Sequence, residues 1–265
     1  MPHVTIDDQT IHVPEGATVL QAIRQAGAHL PTLCYWEGLP PYGACRLCLV
    51  EVTGPEPAPS DETWQTIAAC AYPACEGLRV KTDGARATAV RKIVLEFMLA
   101  RCPTSDVIQT LAADAGVTES RFPTNHKADE LCILCGLCVR VCRDAVGAAA
   151  IGFIGRGPER EVGAPFRLQA EACIGCSACA AVCPTGAVKI EDVDGQRVLR
   201  TWNTTVPLQP CPSCGQPFAP EPMAFLREQV EASEHLWGLC PACRRKKAAA
   251  QLDVIREASF HLPGY

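Results

Sequence analysis

Aromatic residues make up only 6% of the 265 residues, and methionine is nearly absent at three. Lysine and arginine total 24 against 29 aspartates and glutamates, a formal net charge of -5. That deficit of positive charge argues against a general nucleic-acid binder, which needs a basic footprint to neutralise phosphates. Long apolar runs are also lacking: the longest Ala/Gly-rich stretch, Ala145 to Gly155, is far short of the roughly 20 residues of a spanning helix. The first residues, Met1 to Asp8, offer neither a basic n-region nor an apolar h-region, so a cytoplasmic location without a secretory signal is expected. No Rossmann fingerprint, P-loop or evident nucleophile and base pair stands out, so no catalytic residue is assigned. Gly152, Gly155 and Gly157 lack the order that a dinucleotide site requires and read as a loop.

Cysteine is what the sequence has in excess, at 18 residues. In a reducing compartment disulfides are rare, and here the cysteines recur as C-x-x-C units, so the pattern points to metal coordination. The strongest unit is doubled: Cys132, Cys135, Cys138 and Cys142, then Cys173, Cys176, Cys179 and Cys183 before Pro184. Three thiolates on one tight loop hold three corners of a [4Fe-4S] cube, and the fourth cysteine of each run ligates the other cluster. The expected sets are therefore Cys132, Cys135, Cys138 and Cys183 for cluster one, and Cys173, Cys176, Cys179 and Cys142 for cluster two. Arg143 stands after Cys142 where the bacterial run has proline, a cationic departure beside a ligand.

A second set begins with Cys34, Cys45 and Cys48, on a loop that runs straight into the β-prone stretch Leu47 to Thr53, with Cys70 or Cys75 to close it. Four such thiolates suit a [2Fe-2S] rhomb, with zinc as the alternative occupant. A third set, Cys211, Cys214, Cys240 and Cys243, forms two C-x-x-C knuckles suited to zinc or a single iron, zinc being the preferred assignment. Cys102 has no set and reads as a buried or free thiol, as does whichever of Cys70 and Cys75 is not a ligand.

Around these motifs the chain alternates helix and strand. Residues 3–6 and 10–13 read as a hairpin about Asp7-Asp8-Gln9, followed by a helix capped by Thr18 and stopped by Gly27. Strands are expected at Leu47 to Thr53 and Leu78 to Thr82, flanking the Pro-rich loop Gly54 to Ser60. Arg86 to Arg101 carries Val90, Ile93, Val94, Phe97 and Met98 at helical spacing and ends at Cys102-Pro103. Residues 104–125 continue weakly helical. Beyond the Pro-rich stretch Val206 to Pro222, a helix is expected from about Pro222 to Leu236. The basic run Arg244 to Lys247 reads as the solvated face of another. The expected class is α+β, divided into residues 1–83, a helical connector 84–124, an eight-cysteine, two-cluster segment 125–200, and a metal ribbon with helical tail 201–265.

Over roughly residues 1–195 the sequence resembles the iron–sulfur electron-transfer subunits of the complex I superfamily. These include the N-terminal part of the large complex I iron–sulfur subunit, the diaphorase small subunit of NAD-linked hydrogenases and related formate dehydrogenase segments. The resemblance rests on Pro40-Pro41-Tyr42-Gly43-Ala44-Cys45-Arg46-Leu47-Cys48, on Cys70-Ala71-Tyr72-Pro73, and on the stretch from Cys138 through Ala150-Ile151-Gly152-Phe153 into the second run. It implies that Cys70 closes the first set, that residues 1–83 form a β-grasp [2Fe-2S] domain and that residues 125–200 form a two-cluster [4Fe-4S] ferredoxin domain. It also implies a hetero-oligomer, in which electrons pass between a flavin- and NAD(P)-binding partner and a hydrogenase- or formate dehydrogenase-type catalytic subunit. Members commonly hold an additional [4Fe-4S] cluster between the two domains through one histidine and three cysteines. Here that region offers only Cys102, and no histidine occurs between His29 and His126, so this cluster is expected to be absent. An alternative reading is an iron–sulfur redox sensor acting through a zinc-ribbon interaction module.

Overall fold

The computed structural model describes residues 1–54, 64–124, 129–221 and 238–259, the last nine of these as backbone only. The expected loop of residues 54–60 beyond Gly54 and the expected helix from Pro222 to Leu236 fall outside the described residues.

The first unit is a five-stranded sheet of order β2-β1-β5-β3-β4. Its strands are β1 (His3–Ile6), β2 (Gln9–His12), β3 (Leu49–Thr53), β4 (Gln65–Ala68) and β5 (Leu78–Lys81). The hairpin turn is tighter than its sequence suggests, because Asp7 takes a left-handed φ of 50° and Gln9 already pairs with Ile6. Edge strand β4 escaped the pattern: its outward Gln65 and Thr66 leave only Ile67 and Ala68 as an apolar signal. Helix α1 (Val19–Gln25) is closed by a capping box, in which Thr18 and Gln21 satisfy each other's backbone N–H groups. It buries Val19, Leu20, Ala22 and Ile23 against Val4, Ile6, Val50 and Val80.

Helix α2 (Ala85–Arg101) starts on a cap supplied from strand β3. The buried Glu51 carboxylate accepts from the N–H of Arg86 at 2.8 Å and of Ala87 at 3.1 Å, where the helix dipole favours a negative charge. A Cβ on Gly84 would overlap that carboxylate. Gly84→Ala should therefore displace the cap and cost about 1 kcal/mol, read as a lowered thermal midpoint; an unchanged midpoint would remove Glu51 as the cap. The apolar residues of α2 divide differently from their spacing: Leu95 and Met98 are buried, while Val90, Ile93 and Phe97 face outward, Phe97 stacking on Phe122 at 4.0 Å. Helix α3 (Asp106–Asp114) takes up only part of residues 104–125 and packs Ile108 and Ala112 against α2.

The second unit holds two short helices, α4 (Leu137–Arg140) and α5 (Ala178–Ala181). A π-helical turn (Val141–Ala145) that carries Cys142 follows α4. The Gly152–Gly157 stretch, expected to be a plain loop, is part of a hairpin, β6 (Gly152–Ile154) with β7 (Glu161–Gly163). Gly155 permits it: its φ is 70°, and a Cβ there would come within 2.6 Å of the Glu159 carbonyl oxygen.

A four-stranded sheet of order β11-β10-β9-β8 follows, built from β8 (Ile190–Val193), β9 (Gln196–Leu199), β10 (Thr204–Pro210) and β11 (Pro217–Pro220). It runs continuously across residue 200, where a change of segment was expected. Strand β10 tolerates Pro207 and Pro210 because it pairs with β9 through Thr204–Pro207 and with β11 only from Leu208 onward, leaving each half one free edge. Helix α6 (Pro241–Ser259) begins between the last two cysteines and carries Arg244 to Lys247.

Candidate metal centres and their connections

The structure brings the first set together. Cys34, Cys45, Cys48 and Cys70 are all buried, and the N–H of Cys45 donates to the Cys34 sulfur at 3.4 Å. Their thiols hydrogen-bond one another: Cys45 and Cys70 hold the Cys34 thiol far below its usual range, and Cys34 in turn pushes Cys45 and Cys70 far above theirs. Cys70 also pulls Cys48 down to about 7. Four thiols so close that they compete for protons form a soft donor set that fits a metal cluster better than packing. The fold places them. Arg46 turns the loop with a φ of 57°, and the N–H of Leu20 in α1 donates to the Ala69 carbonyl at 2.9 Å, fixing the chain beside Cys70.

Cys75 stands apart. It is exposed, and its thiol donates only to the Pro73 carbonyl at 3.7 Å. Cys102 is fully buried at the end of α2, and burial pushes its thiol up to about 12. Because the thiolate is the nucleophile, iodoacetamide at pH 8 should modify Cys75 and spare Cys102 in the folded protein. Peptide mapping checks this, and labelling at Cys102 would contradict the burial.

The eight cysteines of the doubled run sort into two cavities. One is lined by Cys132, Cys135, Cys138 and Cys183, the other by Cys142, Cys173, Cys176 and Cys179. Each cavity thus takes three thiols from one run and the last thiol from the other. Burial raises the Cys135 thiol to about 11 and drives Cys138 higher still, each rise reinforced by neighbouring cysteines, so an anionic sulfur there calls for a cationic partner. Gly136 (φ 75°) and Ser177 (φ 64°) occupy equivalent left-handed positions before α4 and α5, where the loops turn into the helices. Arg101 donates from Nε to the Cys132 carbonyl at 2.7 Å, and Glu130 accepts from the Cys132 N–H at 2.8 Å. The cationic departure at Arg143 is largely offset, since its guanidinium pairs with Asp144 at 2.6 Å.

The first set and cluster one's cavity share a wall. Cys34, Cys45, Leu33 and Leu47 lie in one apolar cluster with Cys135, Leu137 and Val141, and Cys135 senses the charge of Cys34. Arg140, buried on α4, donates from Nη1 to the Cys34 carbonyl at 3.1 Å and from Nη2 to the Pro40 carbonyl, and lies over the Tyr42 ring at 5.1 Å. The spacing of the cysteines gave no hint of this clamp, whose partners lie 106 and 100 residues away.

In the third set, the ligand atoms of Cys211, Cys214, Cys240 and Cys243 lie within 4.8 Å of one another. The N–H of Cys240 donates to the Cys211 sulfur and that of Cys243 to the Cys240 sulfur, both at 3.4 Å. The first of these bonds lowers the Cys211 thiol to about 6, a value suited to a metal-bound thiolate. Among the described residues, no helix is long and apolar enough to cross a membrane.

A model described as a 2Fe-2S iron-sulfur cluster binding domain matches residues 2–85, and one described as a 4Fe-4S dicluster domain matches residues 131–187. The chain is 34% identical over 239 residues to the G 2 subunit of NADH-quinone oxidoreductase from Rhizobium meliloti (strain 1021), covering 81% of this chain and 27% of that protein. It is 32% identical over 215 residues to NADP-reducing hydrogenase subunit HndD of Solidesulfovibrio fructosivorans, covering 70% of this chain and 35% of that one. It therefore spans about a quarter to a third of the length of these curated relatives. A solved chain of NAD+-reducing [NiFe]-hydrogenase in the H2-reduced state superposes with a TM-score of 0.57 at 32% identity, covering 70% of this chain and 86% of that one.

Proposed function

The chain belongs to the iron–sulfur electron-transfer subunits of the complex I superfamily, and from that membership we propose that it relays single electrons between a flavin- and NAD(P)-binding partner and a hydrogenase- or formate dehydrogenase-type catalytic subunit. In this reading residues 1–83 form a β-grasp module in which Cys34, Cys45, Cys48 and Cys70 hold one [2Fe-2S]. Residues 84–124 connect it to a ferredoxin domain at 125–200. There Cys132, Cys135, Cys138 and Cys183 hold one [4Fe-4S], and Cys173, Cys176, Cys179 and Cys142 hold a second. Residues 201–265 contain a zinc ribbon at Cys211, Cys214, Cys240 and Cys243. When bound, iron–sulfur clusters supply one-electron carriers whose potentials follow cluster type, hydrogen bonds to sulfur and exposure.

The observation that carries the reading is the shared wall between Cys34 and Cys135, which puts the first cysteine set next to the doubled run instead of on a remote lobe. The residues around it act on distance and environment. Arg140 fixes the Cys34 loop on α4, Leu33, Leu47 and Leu137 exclude water between the sites, and Arg101 and Glu130 hold the Cys132 backbone. Purification under native, anaerobic conditions tests the function: the chain is expected to bring with it a flavoprotein and a catalytic subunit. Isolation with neither, at physiological salt, would contradict it.

A further inference from the structure

Trp202 lies in a 3-10 turn (Arg200–Trp202) between β9 and β10, outside the residues 131–187 matched by the dicluster model. It is 3% exposed, yet its indole Nε1 is buried without a hydrogen-bond partner. A buried N–H left unpaired costs about 1–3 kcal/mol, so one in this position calls for an acceptor. The ring lines both cavities of the doubled run and packs in one apolar cluster with Cys138 and Cys179. Of the four thiols in the cavity of Cys142, Cys173, Cys176 and Cys179, only Cys179 is buried, and it shares the apolar cluster of the Trp202 ring, so it is the acceptor there that water reaches least.

The turn is fixed from several sides. Thr204, itself buried, donates to the Trp202 carbonyl at 2.8 Å and accepts from the Ala170 N–H at 2.9 Å, tying the turn to the chain just before Cys173. Asn203 takes the left-handed φ of 47° that turns the chain back into β10. On the neighbouring strand, Arg197 donates to the Gly175 carbonyl at 2.9 Å within the cluster-two loop.

Resting on the assignment of Cys173, Cys176, Cys179 and Cys142 to a [4Fe-4S] cluster, we infer that Trp202 is a positioning residue contributed by the C-terminal sheet, donating its indole N–H to the Cys179 sulfur and raising the reduction potential of that cluster. Reduction adds one negative charge to a centre already ringed by thiolates. A hydrogen bond to sulfur stabilises the more negative state more strongly, which moves the potential upward. Phenylalanine in place of Trp202 keeps most of the ring volume and removes the donor.

EPR-monitored redox titration of the cluster-loaded chain tests this. In Trp202→Phe, the [4Fe-4S] signal that disappears in Cys142→Ser should move to a more negative midpoint, with the other [4Fe-4S] and the [2Fe-2S] midpoints unchanged and iron content equal to wild type. An unmoved midpoint at full iron content would overturn the inference. A second measurement needs no variant: in wild-type protein labelled with indole-15N tryptophan, pulsed EPR of reduced cluster two should show a 15N coupling, and its absence would equally overturn it. A wild-type chain without two [4Fe-4S] signals would overturn the cluster assignment itself, and the inference with it.

Discussion

Replacing Cys183 by alanine is expected to remove about four of the iron atoms and about four sulfides, the content of one cubane, and to abolish the cluster whose other ligands are Cys132, Cys135 and Cys138. The run to which Cys183 belongs should keep its own cluster. The reason is topological: Cys183 follows α5 into the cavity lined by the first run, and Cys142, on the π-helical turn after α4, enters the cavity lined by the second. Cys142→Ala should therefore give the reciprocal loss. Iron analysis with EPR of each reduced variant checks both. Loss in Cys183→Ala of the same signal that vanishes in Cys173→Ala would contradict crossed ligation.

Arg140→Leu is expected to loosen the joint between the first cysteine set and the doubled run, at a cost of about 3 kcal/mol, because two carbonyls lose a charged donor in a site where water does not replace it. Arg140 is only 5% exposed and spends its guanidinium on the carbonyls of Cys34 and Pro40 while covering Tyr42. Lysine, a single point charge, should rescue little, since it cannot span both acceptors in a fixed fork. Two readings separate this from a general loss of stability. Magnetic broadening of the [2Fe-2S] signal by reduced cluster one should fall in Arg140→Leu, and electron exchange between the two should slow, while the metal content of the third cysteine set stays unchanged. Broadening equal to wild type would show that the clamp does not set the distance.

The cysteine motifs were legible in the sequence because tight loops write candidate metal ligands as local spacing, and each of the two cavities is lined by three cysteines of one run and the last of the other. Helix α1 was equally legible, its capping box being a contact between Thr18 and Gln21. What local pattern does not encode is which residue from far along the chain completes a site. Glu51 caps a helix that starts 34 residues later, Arg140 reaches back to the Cys34 loop, and Trp202 returns from beyond the second run. The outward Val90, Ile93 and Phe97 misled the pattern for another reason: the stripe of α2 is apolar on more of its circumference than the neighbouring sheet and α3 cover. Strand β4 was missed because an edge strand with one buried face needs few apolar residues.

Anaerobic iron, sulfide and zinc analysis of the purified chain, with EPR of the reduced protein, tests the central claim most directly. The ligand sets predict about ten iron, about ten sulfide and about one zinc per chain, with one [2Fe-2S] and two [4Fe-4S] signals. About fourteen iron with a third [4Fe-4S] signal, or about six with only one, would contradict the account.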